Sequence, residues 1–283
     1  MGYKKLSSQQ ELCLIEEYRQ GASVQALAEK YGFKTNKSIT DKVKKYYPQE
    51  YQKIINTAKD NRKGYCYRIE TITCEFDAYF IGLMLTDGYI SNNGTIGIDL
   101  IDEDCIQFLA TSIGKNYSAY DKLYTSEYNG QQIQQKHTKY RLILQDRELE
   151  ENLIRFGVVL QKTKILKGPE LLPEEQKFVP YIIRGIIDGD GSVAPTSYGA
   201  PQFRITCYTK QFAEWIKNAL EEKCFMKDVT IFKSLSGMYT IGSAEKDNLL
   251  KLIALSYNKP FGMQRKYIEL RKTFRDYNRN FFD

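Results

Sequence analysis

VPYIIRGIIDGDG at residues 179–191 and FDAYFIGLMLTDG at residues 76–88 are apolar segments of the same length, and both end in Asp-Gly. Each segment predicts a helix of about three turns, because its apolar run is long enough for one. Pro180 suits the first turn of the later helix. The glycine after each aspartate predicts a left-handed helix stop. Two similar helices therefore divide most of the chain into two parts.

The residues that follow each segment are also alike. Asp87 lies 75 residues before Lys162, Asp190 lies 76 residues before Lys266, and the two aspartates are 103 residues apart. Both lysines belong to similar basic segments, FGVVLQKT and FGMQRKY. This ordered repetition indicates an internal duplication. Alternating polarity predicts strands at residues 95–100, 140–144, 203–208 and 238–241, and helical runs at 104–113 and 210–221 lie between them.

The aspartates at the ends of the two helices suggest metal chemistry. A carboxylate at a helix C-terminus faces the negative end of the helix dipole, which costs on the order of 0.3–1 kcal/mol. Small residues one turn apart, Gly82 with Thr86 and Gly185 with Gly189, would let the two helix backbones approach closely. Two neighbouring carboxylates repel each other unless a proton or a cation intervenes. Mg²⁺ suits such a site because it binds carboxylate and phosphate oxygens. The alternative is that each Asp-Gly pair serves only to end its helix.

The charge of the chain is concentrated in its first quarter. The net charge is +6, and residues 1–70 hold 14 Lys/Arg against 8 Asp/Glu, so that residues 71–283 are neutral. This distribution indicates a polyanionic partner or, alternatively, a solvated basic surface. The single histidine, His137, argues against sites that need several histidines.

The basic first quarter has the pattern of a small helical unit. Leu12, Leu14, Ile15 and Tyr18 form a helical stripe, and two shorter helices follow within residues 23–46. This arrangement is typical of a helix-turn-helix, with a three-helix bundle that binds no ligand as the alternative. The third helix would offer DNA the polar residues Lys34, Asn36, Lys37, Thr40 and Lys44.

The remaining composition points to a reducing compartment of the cytoplasmic or nucleoid type. The six cysteines form no C-x-x-C pair, and the first residues lack the apolar core of a secretion signal. We therefore expect free thiols and a chain that is not secreted. No apolar run approaches the roughly 18 residues of a membrane span, so no membrane partner is expected.

The two helix segments resemble the paired motifs of a single-chain LAGLIDADG homing endonuclease. Residues 183–191 match the motif closely, whereas residues 80–88 carry Leu85 where the family has an acidic sixth position. The resemblance covers roughly residues 72–272. It implies an α+β fold with two pseudo-symmetric αββαββα halves, saddle-shaped antiparallel sheets and a small N-terminal helical domain. The expected boundaries are 1–50 for the helix-turn-helix-like extension, 51–72 for a linker, and 73–170 and 171–283 for the halves.

The resemblance also implies an activity and a set of roles. A monomer of this family makes a staggered double-strand break at a long asymmetric DNA target by metal-dependent hydrolysis. Asp87 and Asp190 would hold two or three Mg²⁺ ions with the backbone carbonyls of Thr86 and Gly189. Lys162 and Lys266 would offset charge on the phosphate. Strand alternation adds Ser91, Asn93, Lys139, Arg141, Thr196, Tyr198, Arg204, Thr206 and Lys233 as DNA contacts, with Arg204 the best candidate for reading a base.

Two other functions fit the same fold. One is a DNA-binding transcription regulator that does not cleave, in which one or both motif acids would be expected to be replaced. The other is an RNA maturase, for which intron RNA would be the partner in place of DNA. Both acids remain in this chain, which favours the endonuclease.

Overall fold

The computed structural model describes residues 6–19, 22, 24–46, 48, 67–128, 131–196 and 200–279. The chain forms two compact units, Met1–Tyr65 and Cys66–Asp283. None of the helices within these described ranges combines the length and the apolar character needed to cross a bilayer.

The first unit contains three helices, α1 (Ser8–Arg19), α2 (Val24–Tyr31) and α3 (Asn36–Tyr46). Its core is built from Leu14 and Ile15 of α1 and from the buried residues of the other two helices. The expectation that Leu12 belongs to the buried stripe is wrong, because 59% of its surface is exposed. Glu11 lies on that side of α1 instead, where it accepts hydrogen bonds from Lys42 and from the Tyr46 hydroxyl of α3.

The second unit is α+β and repeats the order αββαββα, as the sequence predicted. The first repeat runs α4 (Glu75–Thr86), β1 (Gly88–Ile90), β2 (Ile96–Leu100), α5 (Glu103–Ile113), β3 (Tyr117–Tyr128), β4 (Gln131–Leu144) and α6 (Arg147–Arg155). The second runs α7 (Val179–Asp190), β5 (Gly191–Pro195), β6 (Pro201–Cys207), α8 (Lys210–Glu222), β7 (Thr230–Lys233), β8 (Tyr239–Ser243) and α9 (Lys246–Lys251). A π-helical turn (Leu252–Ser256) and α10 (Gln264–Arg279) follow.

Each repeat forms a four-stranded antiparallel sheet, with the strand orders β1-β2-β4-β3 and β5-β6-β8-β7. The equivalent hairpins differ in length. Strands β3 and β4 have 12 and 14 residues, whereas β7 and β8 have 4 and 5. The sheets therefore share a topology but present surfaces of different size.

Helices α4 and α7 pack against each other at the centre of this unit, and glycine makes their close approach possible. A β-carbon on Gly82 would lie 2.8 Å from the Gly185 Cα, and one on Gly185 would lie 2.8 Å from the Gly82 Cα. The sequence prediction that small residues bring these backbones together is confirmed. Asp77 lies in the first turn of α4 and caps the helix, because its side chain accepts hydrogen bonds from the backbone amides of Thr73 (2.9 Å) and Cys74 (3.2 Å).

The predicted left-handed glycine stops are wrong. Asp87 closes α4 with helical dihedral angles, and Gly191 after α7 has φ −90° and ψ 164°, which is extended. Glycine is required there for space, because each strand leaves directly alongside its helix. A β-carbon on Gly88 would lie 2.6 Å from the Met84 Cα, and one on Gly191 would lie 2.7 Å from the Ile187 Cα.

Candidate functional site

Asp87 and Asp190 lie at the adjoining ends of α4 and α7. A β-carbon placed on Gly189 would lie 2.6 Å from Oδ2 of Asp87, so the carboxylate of one helix reaches the last turn of the other. Asp87 is half-buried, and Asp190 is the more exposed of the two. We call this pair of carboxylates the acid centre.

The acid centre holds its protons more tightly than free carboxyl groups do. Burial and, to a smaller extent, the neighbouring Asp190 raise the pKa of Asp87 to about 6, against the opposing charges of Lys162, Lys139 and Lys266. Burial also raises the pKa of Asp190, and the same two motif lysines, Lys162 and Lys266, oppose this shift. Two desolvated acids close together are a site at which added positive charge is stabilising.

Lys162 and Lys266 flank the acid centre in equivalent positions. Both side chains are almost completely buried, and burial lowers the pKa of each. The Lys162 ammonium donates to the carbonyls of Thr86 (3.1 Å) and Gly88, while that of Lys266 donates to the carbonyls of Ile187 (3.1 Å) and Gly191. The positive charge expected at the two helix ends is thus supplied in part by the chain itself.

The donor set of the acid centre fits a hard divalent cation. Its available ligands are carboxylate oxygens and backbone carbonyl oxygens, the groups that Mg²⁺ prefers. The Thr86 carbonyl already accepts a hydrogen bond from Lys162, so this predicted ligand is shared with the lysine. Within the part of the chain that the structure describes, no group of three or more His, Cys, Asp or Glu side chains offers a metal site. Asp87 and Asp190 would hold a cation with carbonyl and solvent oxygens completing its shell.

The outer face of the first sheet is basic and aromatic. Burial of Ile96, Ile98 and Leu100 places the alternate residue Asp99 on the side of the sheet away from the core. The strand register places Arg141 beside Asp99, and the two side chains form a bidentate ion pair of 2.7 and 2.8 Å. We define the basic face by its charged residues and tyrosines on this side: Tyr89, Asp99, Tyr120, Lys122, Tyr124, Lys139 and Arg141.

Cations and rings alternate along the basic face. The Arg141 guanidinium lies 4.4 Å from the centre of the Tyr120 ring, and the ammonium groups of Lys122 and Lys139 lie 5.1 and 5.9 Å from the centre of the Tyr124 ring. Lys139 is also close enough to the acid centre to lower the pKa of Asp87. The predicted contacts Lys139 and Arg141 therefore belong to one surface that leads to the two aspartates.

The outer face of the second sheet differs in character. Buried Phe203 and Ile205 alternate along β6 with Arg204 and Thr206, which face outward. Lys233 pairs in register with Tyr239, which pairs with Cys207, so it lies on the side opposite Arg204 and Thr206. We define the methyl face by the outward residues of this sheet: Ser192, Ala194, Gln202, Arg204, Thr206, Thr230, Phe232, Thr240 and Gly242.

The remaining predicted contacts lie in turns. Ser91 and Asn93 share the turn between β1 and β2, where the Ser91 hydroxyl donates to the Asn93 side-chain oxygen (2.5 Å). Thr196 follows β5, and its hydroxyl accepts a hydrogen bond from the Ala200 amide (3.0 Å). Tyr198 lies outside the described residues.

In the first unit, Lys34, Lys37 and Lys44 are exposed and Thr40 is half-buried. Asn36 begins α3, and its side chain lies outside the described part. Cys13, Cys74, Cys105, Cys207 and Cys224 carry free thiols.

Sequence reasoning missed a buried polar cluster next to the acid centre. Asp188 accepts hydrogen bonds from the hydroxyls of Tyr79 (2.8 Å) and Tyr257 (2.6 Å) and from the Met263 amide (3.2 Å). Arg184 is fully buried one turn earlier and donates to the carbonyl of Lys259 (2.8 Å). A charged pair at residues 184 and 188 inside an apolar helix was the only available signal, because its partners come from distant parts of the chain.

No family model matches the sequence, and no curated protein does. Among solved structures, full-length DUF199/WhiA from Thermatoga maritima is similar with a TM-score of 0.45 and 12% identity, over 73% of this chain and 63% of that chain. The N-terminal LAGLIDADG domain of DUF199/WhiA gives 0.42 and 13%, over 70% and 86%. The homing endonuclease I-DmoI in complex with DNA and Ca gives 0.42 and 13%, over 70% and 97%. The chain thus spans less than two thirds of full-length WhiA, and each similarity is a partial one in fold.

Proposed function

We propose that this chain is a two-motif LAGLIDADG protein that cleaves both strands of a DNA duplex at a specific site. The observation that carries the proposal is the acid centre. Two repeats of one chain deliver one carboxylate each to the same point, with raised pKa values and a buried lysine beside each. A helix-packing role alone does not require two acids to be placed against each other.

Divalent cations held by Asp87 and Asp190 would supply activated water and stabilise the leaving oxygen of a phosphodiester. The protein residues have separate tasks. The aspartates provide negative charge at a fixed point between the repeats. Lys162 and Lys266 hold the backbone carbonyls on either side of that point and add positive charge where a phosphate would be desolvated. The catalytic contribution of the fold is therefore to keep these four groups in one arrangement.

The basic face of the first sheet fits DNA as the substrate. Lys122, Lys139 and Arg141 give the basic face three positive charges against the single negative charge of Asp99. Such a surface attracts the phosphate backbone of a duplex. Lys139 connects the basic face to Asp87 electrostatically, so a duplex bound there would place its phosphates near the acid centre.

The proposal is tested by incubating the protein with a plasmid library that carries randomised inserts in Mg²⁺, and by sequencing the new DNA ends. Wild type is expected to give recurrent staggered breaks. Asp190→Asn keeps the shape of the side chain and is expected to lose them. Asp228→Asn is the matched control, because Asp228 is an exposed acid whose left-handed backbone (φ 54°) asparagine also tolerates. Identical maps for wild type and Asp190→Asn would refute cleavage.

One observation favours a DNA-binding regulator that does not cleave. The buried lysines already bind carbonyls at the ends of both helices, including the Thr86 carbonyl expected to hold a metal ion. In that case wild type, Asp190→Asn and Asp228→Asn would all select the same duplex sequence and leave it intact. Preferential selection of RNA from a mixed pool would instead identify the maturase.

A further inference from the structure

Phe232 is an aromatic side chain on the outer side of the second sheet. Its register partner is Thr240, which pairs in turn with Thr206, and all three therefore share the methyl face. The preceding row, Ile231 with Ile241 and Ile205, points into the core. Phe232 takes no part in that core, and 53% of its surface is exposed. An exposed aromatic ring on the edge strand of a sheet is a surface suited to apolar contact.

The methyl face carries very little charge. Arg204 is its single charged residue among those that the structure describes. The other side chains end mainly in methyl groups, hydroxyls or the Phe232 ring. The methyl groups and the Phe232 ring on this face gain from contact with an apolar partner, because burying apolar surface is favourable. It therefore differs from the basic face, whose cations favour phosphate.

The methyl face is continuous with the acid centre. Thr206 lines a cavity of about 280 Å³ together with Thr86 and Asp190, so its strand borders the Asp190 side of the acid centre. A duplex positioned for cleavage at the acid centre would lie along this face as well as along the basic face. The methyl face would therefore contact the base edges of the same DNA duplex.

From these observations, and resting on the proposed function, we propose that the second sheet recognises thymine methyl groups through Phe232, with Thr206 on the same face. Thymine is the base that presents a methyl group in the major groove, and phenylalanine and threonine methyl groups are suited to contact it. The first sheet holds the duplex by charge. The two halves of the target are thus recognised by different chemistry, and the methyl contact also selects DNA over RNA, which has uracil instead.

The test begins with selection of a duplex from a randomised DNA library by the full-length protein in Ca²⁺. The selected duplex is then synthesised with deoxyuridine in place of thymidine in one half or in the other. Loss of each contacted methyl group is expected to weaken binding about fourfold, equivalent to about 0.8 kcal/mol, and only in one half. In Phe232→Ser this difference between thymidine and deoxyuridine is expected to shrink, because serine has no methyl group or ring, while the dependence of affinity on salt concentration stays unchanged.

Two variants serve as controls. Leu123→Ser alters another exposed apolar strand residue, 66% exposed, on the side of the first sheet opposite Tyr124, and is expected to keep the full deoxyuridine effect. Lys139→Gln is expected to reduce the slope of log affinity against log salt by about one, without changing the deoxyuridine effect.

Several results would overturn the inference while leaving cleavage intact. These are a selected site without thymine, equal deoxyuridine effects in both halves, or an effect that Phe232→Ser does not alter. Failure to select any duplex would instead refute DNA binding and with it the proposed function.

Discussion

Replacing Gly82 with alanine tests the central helix contact. The new β-carbon would lie 2.8 Å from the Gly185 Cα and closer still to the Ile182 carbonyl oxygen. Carbon atoms prefer about 3.5–4.0 Å, so α4 and α7 must separate by about 1 Å. Overpacking costs about 1–3 kcal/mol, and backbone neighbours that cannot rotate away place this case at about 3. Alanine regains about 1 kcal/mol of helix propensity, which leaves a net destabilisation of about 2 kcal/mol.

Thermal unfolding measures this loss. For a unit of this size, about 2 kcal/mol corresponds to a decrease in Tm of about 5 °C. Gly185→Ala approaches the same contact from α7, because its β-carbon would lie 2.8 Å from the Gly82 Cα and closer still to the Tyr79 carbonyl oxygen. We expect Gly185→Ala to lower Tm by a similar amount. A Gly82→Ala protein as stable as wild type would refute the packing argument.

Three further predictions concern the charged groups. Without divalent cations, the free energy of unfolding is expected to fall as pH rises from 3.8 to about 6, because Asp87 in the folded protein still holds a proton that the unfolded chain has released. In Asp87→Asn, urea titrations should show a smaller dependence of the free energy of unfolding on pH. Asp188→Leu is expected to lower the free energy of unfolding at pH 7 by about 3 kcal/mol, since two buried tyrosine hydroxyls lose their acceptor, and a loss below about 1 kcal/mol would contradict this reasoning. The double variant Lys37→Gln, Lys44→Gln is expected to reduce the slope of log DNA affinity against log salt by about two, and an unchanged slope would exclude α3 from the interface.

The order of elements in the second unit could be predicted because the sequence contains its motif twice. The repeated spacing from Asp87 to Lys162 and from Asp190 to Lys266 fixed the equivalent positions in both halves. Small residues at Gly82 and Gly185 then predicted the close helix contact that the structure contains. These features are local or periodic, so one sequence is sufficient to reveal them.

Features that depend on long-range register could not be predicted. Alternation alone did not show that Phe232, and not Lys233, shares a face with Arg204, because the pairing of β7 with β8 decides this. The role of glycine after each aspartate was misjudged for a related reason. A left-handed turn and a close backbone approach both require glycine, and only the direction of the following strand distinguishes them.

The hydrogen bond from Tyr79 of the first repeat to Asp188 of the second has no counterpart from the second repeat to the first. At the equivalent positions the chain has Ile182 in place of tyrosine and Leu85 in place of aspartate. A homodimer assembled from two copies of the second repeat would bury its acids without this tyrosine partner, and one assembled from the first would leave the tyrosines unmatched. The contact between α4 and α7 therefore disfavours the pairing of two identical repeats. A chimaera that exchanges one half must keep both Tyr79 and Asp188.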